Sequence, residues 1–287
     1  MSNNLKRKAS EDDEMPPKKL AARDASDDED SDDGLQDIVD VDFDFYNPDE
    51  IDFHALKKLL TQLFASDAEL LELGDFADIM IEENQVGTTV KVDDMKSDPY
   101  AILSIINLNH QKCPKKDEAL YKAVQDILSL STEKQLGWVV SERFINMPVE
   151  IMPPMYSMLQ EETQKAIKEN EPYVFEWYMF VSKTYREVTP TAEEEDGVEM
   201  APPSKKSKKE VESEVFYFQS EDEIISQYAE YQFDYKFTNN EKEQAADSRR
   251  AFSECGIAPF RRLMFVHASK FDQLVSEIKT TCTSVTA

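Results

Sequence analysis

"AILSIINL", residues 101–108, decides the fold, because it is apolar on both of its alternating faces. A strand that buries one face alternates apolar and polar residues, whereas one covered on both sides reads as a continuous apolar run. The stretch is therefore expected to be a central strand.

Upstream, residues 76–83 and 86–93 read as two further strands around a turn at Asn84 to Gly87. Before them, Phe53, Leu56, Leu60, Leu63 and Phe64 recur at helical spacing, and Ser66 with Glu69 has the pattern of a capping box for a short second helix ending near Gly74. From Ile38, Val39, Val41, Phe43 and Phe45 alternate with Asp40, Asp42 and Asp44. That period predicts a first strand with one face in the core and a comb of carboxylates on the other.

Downstream, Leu120, Val124 and Leu128 share a helical stripe, and a short apolar piece follows around Trp138 to Val140. "INMPVEIMPPM" is extended by its prolines and leads into a helix near 153–168. "YVFEWYMFVSKTYREV", 173–188, reads as a long strand and "EVFYFQ", 214–219, as its hairpin partner. A capping box at Ser220 and Glu223 opens a helix bearing Ile224, Ile225 and Tyr228; strands "YQFDYKF" and "LMFVHAS" follow. A last helix, capped by Ser269, places Phe271, Leu274, Val275 and Ile278 on one side. The expected class is α/β (α+β): a central mixed, mostly antiparallel sheet flanked by helices, with a C-terminal strand-helix extension.

Charge is the outlier of the composition. The 287 residues carry 59 acids and 32 bases, a net of −27. Residues 1–50 hold 17 acids and 6 bases, so −16 remains for the rest. A surface of that sign repels phosphate backbones and anionic lipid, so direct nucleic-acid binding is not expected and a basic protein is the natural partner. Solubility alone is the competing explanation. No apolar run approaches the ~20 residues that span a bilayer, and the N-terminus has no signal-like apolar stretch, so a soluble intracellular protein without membrane insertion is expected. Cys113, Cys255 and Cys282 are odd in number and far apart, which indicates neither a disulfide framework nor a zinc site.

Residues 1–37 lack apolar periodicity and are expected to be a disordered acidic tail; residues 38–287 are expected to form one domain. Lys6, Arg7 and Lys8, then Lys18 and Lys19, resemble a bipartite import signal read by an importin. Ser10, Ser26 and Ser31 precede acids and are phosphorylation candidates; each phosphate would add about −1.5 to −2 charge. The tail acids Asp27, Asp28, Glu29, Asp30, Asp32 and Asp33, with the comb Asp40, Asp42 and Asp44, are the candidates for holding a basic client. Carboxylates about 7 Å apart along a strand face repel, and a cationic partner relieves that cost. Protection of an edge strand against aggregation is the alternative. Residues 189–213 interrupt the hairpin with an acidic run and then Lys205, Lys206, Lys208 and Lys209, a disordered insertion with a second candidate import signal.

Catalytic signals are few. Six glycines leave little room for a nucleotide loop, and neither G-x-G-x-x-G nor a P-loop occurs. His54, His110 and His267 read as structural or surface residues, and His110 with Cys113 lacks the second ligand pair of a zinc site. Glu176 in an apolar strand could act as a buried base, or be a carboxylate satisfied by a neighbour. Met147, Met152, Met155 and Met158 fall close together; Met152 and Met155 are candidate client contacts, with core filling as the alternative. No catalytic residue, cofactor or metal is expected.

The element order of the first part resembles the acetyltransferase fold called GNAT. Where that fold cradles a pyrophosphate on Gln/Arg-x-x-Gly-x-Gly/Ala, this chain reads Gln111, Lys112, Cys113, Pro114, Lys115, Lys116. It lacks the glycines that admit a phosphate, and proline supplies no N–H. Over most of residues 38–268 the chain resembles the BCCIP family, closely its fungal members, through "VDFDFYNP" (41–48), "LGDFADIMIEE" (73–83), "SERFINMPVEIMPPMY" (141–156) and "FEWYMFVSKTYRE" (175–187). The resemblance implies a nuclear, GNAT-like protein without established enzymatic activity. It also implies a chaperone for a new large-subunit ribosomal protein and help in nuclear export of a phosphoinositide kinase. Animal members imply recombination and cell-cycle partners. The expected function is a nuclear escort chaperone shuttling to the cytoplasm in support of ribosome biogenesis. A divergent acetyltransferase and a recombination or cell-cycle adaptor are the alternatives.

Overall fold

The computed structural model describes residues 42–83, 85–92, 94–109, 135–187, 214–235, 237 and 256–283. All of these belong to one compact unit, Val41–Ala287. In chain order the elements are β1 (Asp44–Tyr46), α1 (Phe53–Phe64), α2 (Leu73–Glu82), β2 (Gly87–Lys91), β3 (Ala101–Asn107), β4 (Gln135–Arg143), α3 (Met152–Lys168), β5 (Phe175–Glu187), β6 (Val215–Tyr217), α4 (Ser220–Tyr228), β7 (Tyr231–Tyr235), β8 (Ile257–His267) and α5 (Phe271–Thr283). Among the described residues the strands form an eight-stranded sheet in the order β1-β2-β3-β4-β5-β8-β7, with β6 on β5. Every pairing is antiparallel except that of β4 with β5.

Residues 101–107 of the apolar run form β3, which is buried along its whole length. Ile102 and Ile106 pack with Leu56, Leu59, Leu60 and Leu63 of α1 and Phe76 and Met80 of α2. Ala101, Leu103 and Ile105 belong to the opposite core, with Met155 and Leu159 of α3, Ile225 of α4 and Leu274 and Ile278 of α5. Helices on both faces are why β3 carries no polar alternation.

Five local expectations are corrected. Residues 76–83 belong to a helix and not to a strand: Leu73, Phe76, Ala77 and Met80 are the buried stripe of α2. Gly74 therefore lies inside α2, while Ser66 and Glu69 sit in a 3-10 turn, Ala65–Leu70, after Ala65 at φ 50° breaks α1. The cap position of α4 is Gln219, one residue before Ser220, and no side-chain cap bond forms there. Before α5, His267 starts a 3-10 turn and its Nδ1 accepts from the Ser269 N–H at 3.3 Å. Strand β8 starts at Ile257, earlier than expected, because it pairs with β5 from Glu187↔Ile257 to Trp177↔His267. The helix expected at Leu120, Val124 and Leu128 lies outside the described residues.

Gly87 meets a real steric demand. A Cβ there would stand 2.8 Å from Ser104 Oγ across the β2–β3 pair. Its N–H donates to Glu162 Oε2 at 2.9 Å, joining β2 to α3.

Candidate functional site

Parallel strands β4 and β5 pair from Gln135↔Phe175 to Val139↔Phe180 and then part. Beyond that point β4 stays with β3 as far as Arg143, and β6 takes the edge of β5 that β4 has left, at Thr184–Arg186. A notch at the carboxyl ends of diverging parallel strands is where open sheets take ligands. Here side chains of this chain fill it. Glu142 Oε1 accepts from Lys183 Nζ at 2.5 Å, Gln62 Nε2 at 2.8 Å and the Arg143 N–H at 2.9 Å. The Arg143 guanidinium pairs with Glu221 of α4, and Ser182 Oγ donates to Asp222 Oδ2 at 2.5 Å. Glu142, Arg143, Glu221 and Asp222 are all buried.

Three carboxylates face two cations in this network, and the surplus falls on Asp222. Burial pushes its carboxyl up to about 6, against the Ser182 hydroxyl, Lys183 and Arg143, which pull it down. Burial likewise lowers the Arg143 guanidinium, and the nearby acids oppose that shift. The network clamps α4 onto the sheet and leaves the notch occupied.

At the outer edge the same residue types are used differently. Asp42 and Asp44 are exposed, while Phe43 and Phe45 are half-buried against the core. The alternation expected of the comb thus holds over its described part; Asp40 lies outside it. Strand β1 pairs only with β2 among the described residues. Behind it, Lys91 Nζ is 2.6 Å from Asp52 Oδ1, with both side chains 1% exposed.

A second acidic feature escaped the sequence reading. Glu82, Glu83, Gln85, Glu171, Pro172 and Tyr173 line a hollow of about 190 Å³. Tyr173 OH donates to Glu83 Oε2 at 3.3 Å, and burial, then Glu83, drives the phenol well above its usual range. The acids come from the end of α2 and from the α3–β5 turn, so only the fold brings them together; the pair Glu82–Glu83 was the one local signal.

Met152 and Met155 cannot be client contacts in the folded chain. Both are at most 1% exposed, packed with Tyr156 and Leu159 where α3 meets the sheet. Met147 is also buried, and Met158 is half-buried with its sulfur accepting from Thr88 Oγ1 at 4.0 Å. Glu176 is half-buried on β5. His54 is exposed with its ring against Phe53, and His267 sets its ring edge-on to Trp177 at 4.9 Å, so each has a structural neighbour. Among the described residues no group of three His, Cys, Asp or Glu side chains could hold a metal. The import-signal lysines and Arg7, Lys205 to Lys209, Ser10, Ser26, Ser31, the tail acids, His110 and the 111–116 segment lie outside the described residues.

Comparison with known proteins gives concordant matches. The BCCIP family model matches residues 38–225. Protein bcp1 of Aspergillus oryzae is 39% identical over 265 residues, covering 88% of this chain and 90% of that protein. Protein bcp1 of Schizosaccharomyces pombe is 38% identical over 257 residues, covering 84% and 90%. The crystal structure of BCP1 from Saccharomyces cerevisiae superposes with a TM-score of 0.59 at 27% identity, over 90% of this chain and 96% of that one. None of these names denotes an enzymatic activity.

Proposed function

The chain belongs to the BCCIP family, and on that premise we propose that it is a nuclear escort that holds a basic client protein, a large-subunit ribosomal protein foremost, shields it and releases it to assembly. The observation that carries this reading is the −16 charge beyond residue 50, which makes the chain anionic outside its tail as well. Attraction between exposed carboxylates and a Lys/Arg-rich client speeds capture and weakens with salt, while the folded surface selects the client. The acids at 27–33 and the comb at 40–44 supply the first contact; the hollow beside Glu83 has the charge to seat one cationic head group. Importin recognition of Lys6, Arg7, Lys8, Lys18 and Lys19 brings the escort to the nucleus, and Lys205, Lys206, Lys208 and Lys209 offer a second signal. Phosphates on Ser10, Ser26 or Ser31 deepen the negative field. Assistance to nuclear export of a phosphoinositide kinase follows the family resemblance and requires shuttling to the cytoplasm.

An acetyltransferase needs room for its cofactor, and the filled notch between β4 and β5 speaks against it. A recombination or cell-cycle adaptor differs in client and is compatible with the escort role. Recovery of partners from nuclear extract at moderate and high salt tests the escort reading. Ribosomal and other basic proteins should dominate at moderate salt and fall away at high salt; their absence at both would overturn it.

A further inference from the structure

We propose that the end of the sheet where the β2–β3 and β4–α3 loops emerge beside β1 docks an extended basic segment carrying one apolar anchor. The proposal rests on the escort reading and supplies the contact that selects among basic clients. Tyr100 ties the two loops together: its N–H donates to Val90 O at 2.8 Å, and its carbonyl accepts from the Phe144 N–H at 3.0 Å. Asp44 of β1 stands opposite Lys91 at the same end. Two apolar side chains stand in water there, Ile145 at 95% exposure and Met95 at 49%.

Neither is slack. The Met95 carbonyl accepts from Lys91 Nζ at 2.7 Å, and that amine is locked in the buried pair with Asp52. Ser97 Oγ closes the same loop onto Val92 O at 2.6 Å and Asp94 O at 2.8 Å. Ile145 sits between Phe144, whose ring meets Tyr100 edge-on at 5.9 Å, and the buried Met147, whose N–H donates to Phe144 O at 3.0 Å. An aliphatic group held out by anchors on both sides gives up little freedom when it is covered.

The charge of the occupant follows from its surroundings. Asp42, Asp44, Asp94 and Asp98 are exposed at this end, and Lys96 is the one exposed cation among the described residues of the β2–β3 loop, so the acids outnumber it. From β1 to β4 is three strand spacings, ~14 Å, which an extended chain at ~3.3 Å per residue crosses in four or five residues. The fitting segment thus has a Lys/Arg pair about four residues from one aliphatic side chain. A second copy of this chain, itself at −27, is repelled.

The test uses the full chain and two fluorescent peptides that differ in one residue: a lysine pair followed, four residues on, by leucine or by serine. The leucine peptide should bind about tenfold more tightly, as burial of one aliphatic group supports. Ile145→Ser with Met95→Ser should erase that margin and leave serine-peptide affinity and its salt dependence unchanged, whereas Asp42→Asn with Asp44→Asn should weaken both peptides. A margin that survives in the Ile145/Met95 variant overturns the docking surface, as does equal binding of the two peptides to the unaltered chain. If neither peptide binds, the docking surface is overturned, while the escort reading is decided by the recovery of basic proteins from nuclear extract. Concentration-dependent self-association that vanishes in the same variant would assign the surface to a second copy and likewise overturn the proposal.

Discussion

The notch between β4 and β5 and the edge at β1 are built from the same chemistry and put it to opposite uses. In the notch, Glu142, Glu221 and Asp222 are buried against Lys183, Arg143 and Ser182. At the edge, Asp42 and Asp44 face water from a strand that pairs on one side only among the described residues. Buried carboxylates are fixed by geometry and weakly screened, so they hold the fold; exposed ones are screened, cost little to rearrange and are available to a partner. Sequence alone presents both as acids near apolar strands. Burial separates them.

Breaking the notch should have the largest effect. Glu221→Ala leaves the Arg143 guanidinium buried without its carboxylate, and removal of one partner of a buried pair costs about 3–5 kcal/mol. Urea unfolding monitored by tryptophan fluorescence checks this, and a loss below ~1 kcal/mol would remove the distinction between notch and surface. Lys183→Met should cost less, about 1–3 kcal/mol, because Gln62 and the Arg143 N–H still satisfy Glu142. Raising salt from 0.1 to 0.5 M should leave both losses nearly unchanged.

The pH dependence sharpens the contrast. Asp222 titrates near 6 in the folded chain against an ordinary value of 3.8, with burial as the cause. A raised carboxyl binds its proton more tightly when folded, so its contribution to stability is complete below pH 3.8 and is lost as pH climbs through 6. Asp222→Asn should therefore flatten that part of the stability profile between about pH 4 and 6. A profile that keeps its full slope in the variant would place the responsible proton elsewhere; Glu162, which burial pushes up to about 7, is the next group to test.

The smallest effect on stability belongs to the edge. Asp42→Asn with Asp44→Asn should shift the unfolding free energy by less than ~0.5 kcal/mol, since exposed like charges contribute little. A loss of 2 kcal/mol or more in that double variant would mean that the comb holds β1 in place.

What could be read from the sequence follows the same division. The two-sided apolar run of β3 and the one-sided alternation at Phe43 and Phe45 survive because burial imposes them directly on residue type. "FADIMIEE" misled because Phe76 and Met80 fit either period, and packing under Ile102 and Trp138 settles it as helix. Met152 and Met155 looked like an adaptable surface; only the orientation of α3 turns them inward. The notch network joins Gln62, Glu142, Lys183 and Glu221 across long separations, and the hollow unites Glu83 with Glu171. Neighbours created by chain crossing leave no local period to detect.

On the proposed function, the carboxylates of residues 27–44, and not the buried ones of the notch, hold a basic client by counter-charge. The most direct test measures capture of a purified large-subunit ribosomal protein at 0.1 and 0.5 M salt by the unaltered chain and by a variant with every acid of residues 27–44 changed to its amide. Strong capture at low salt by the unaltered chain is expected, with a loss of ten-fold or more in the variant, converging at high salt. Equal capture by the two proteins at low salt would contradict it.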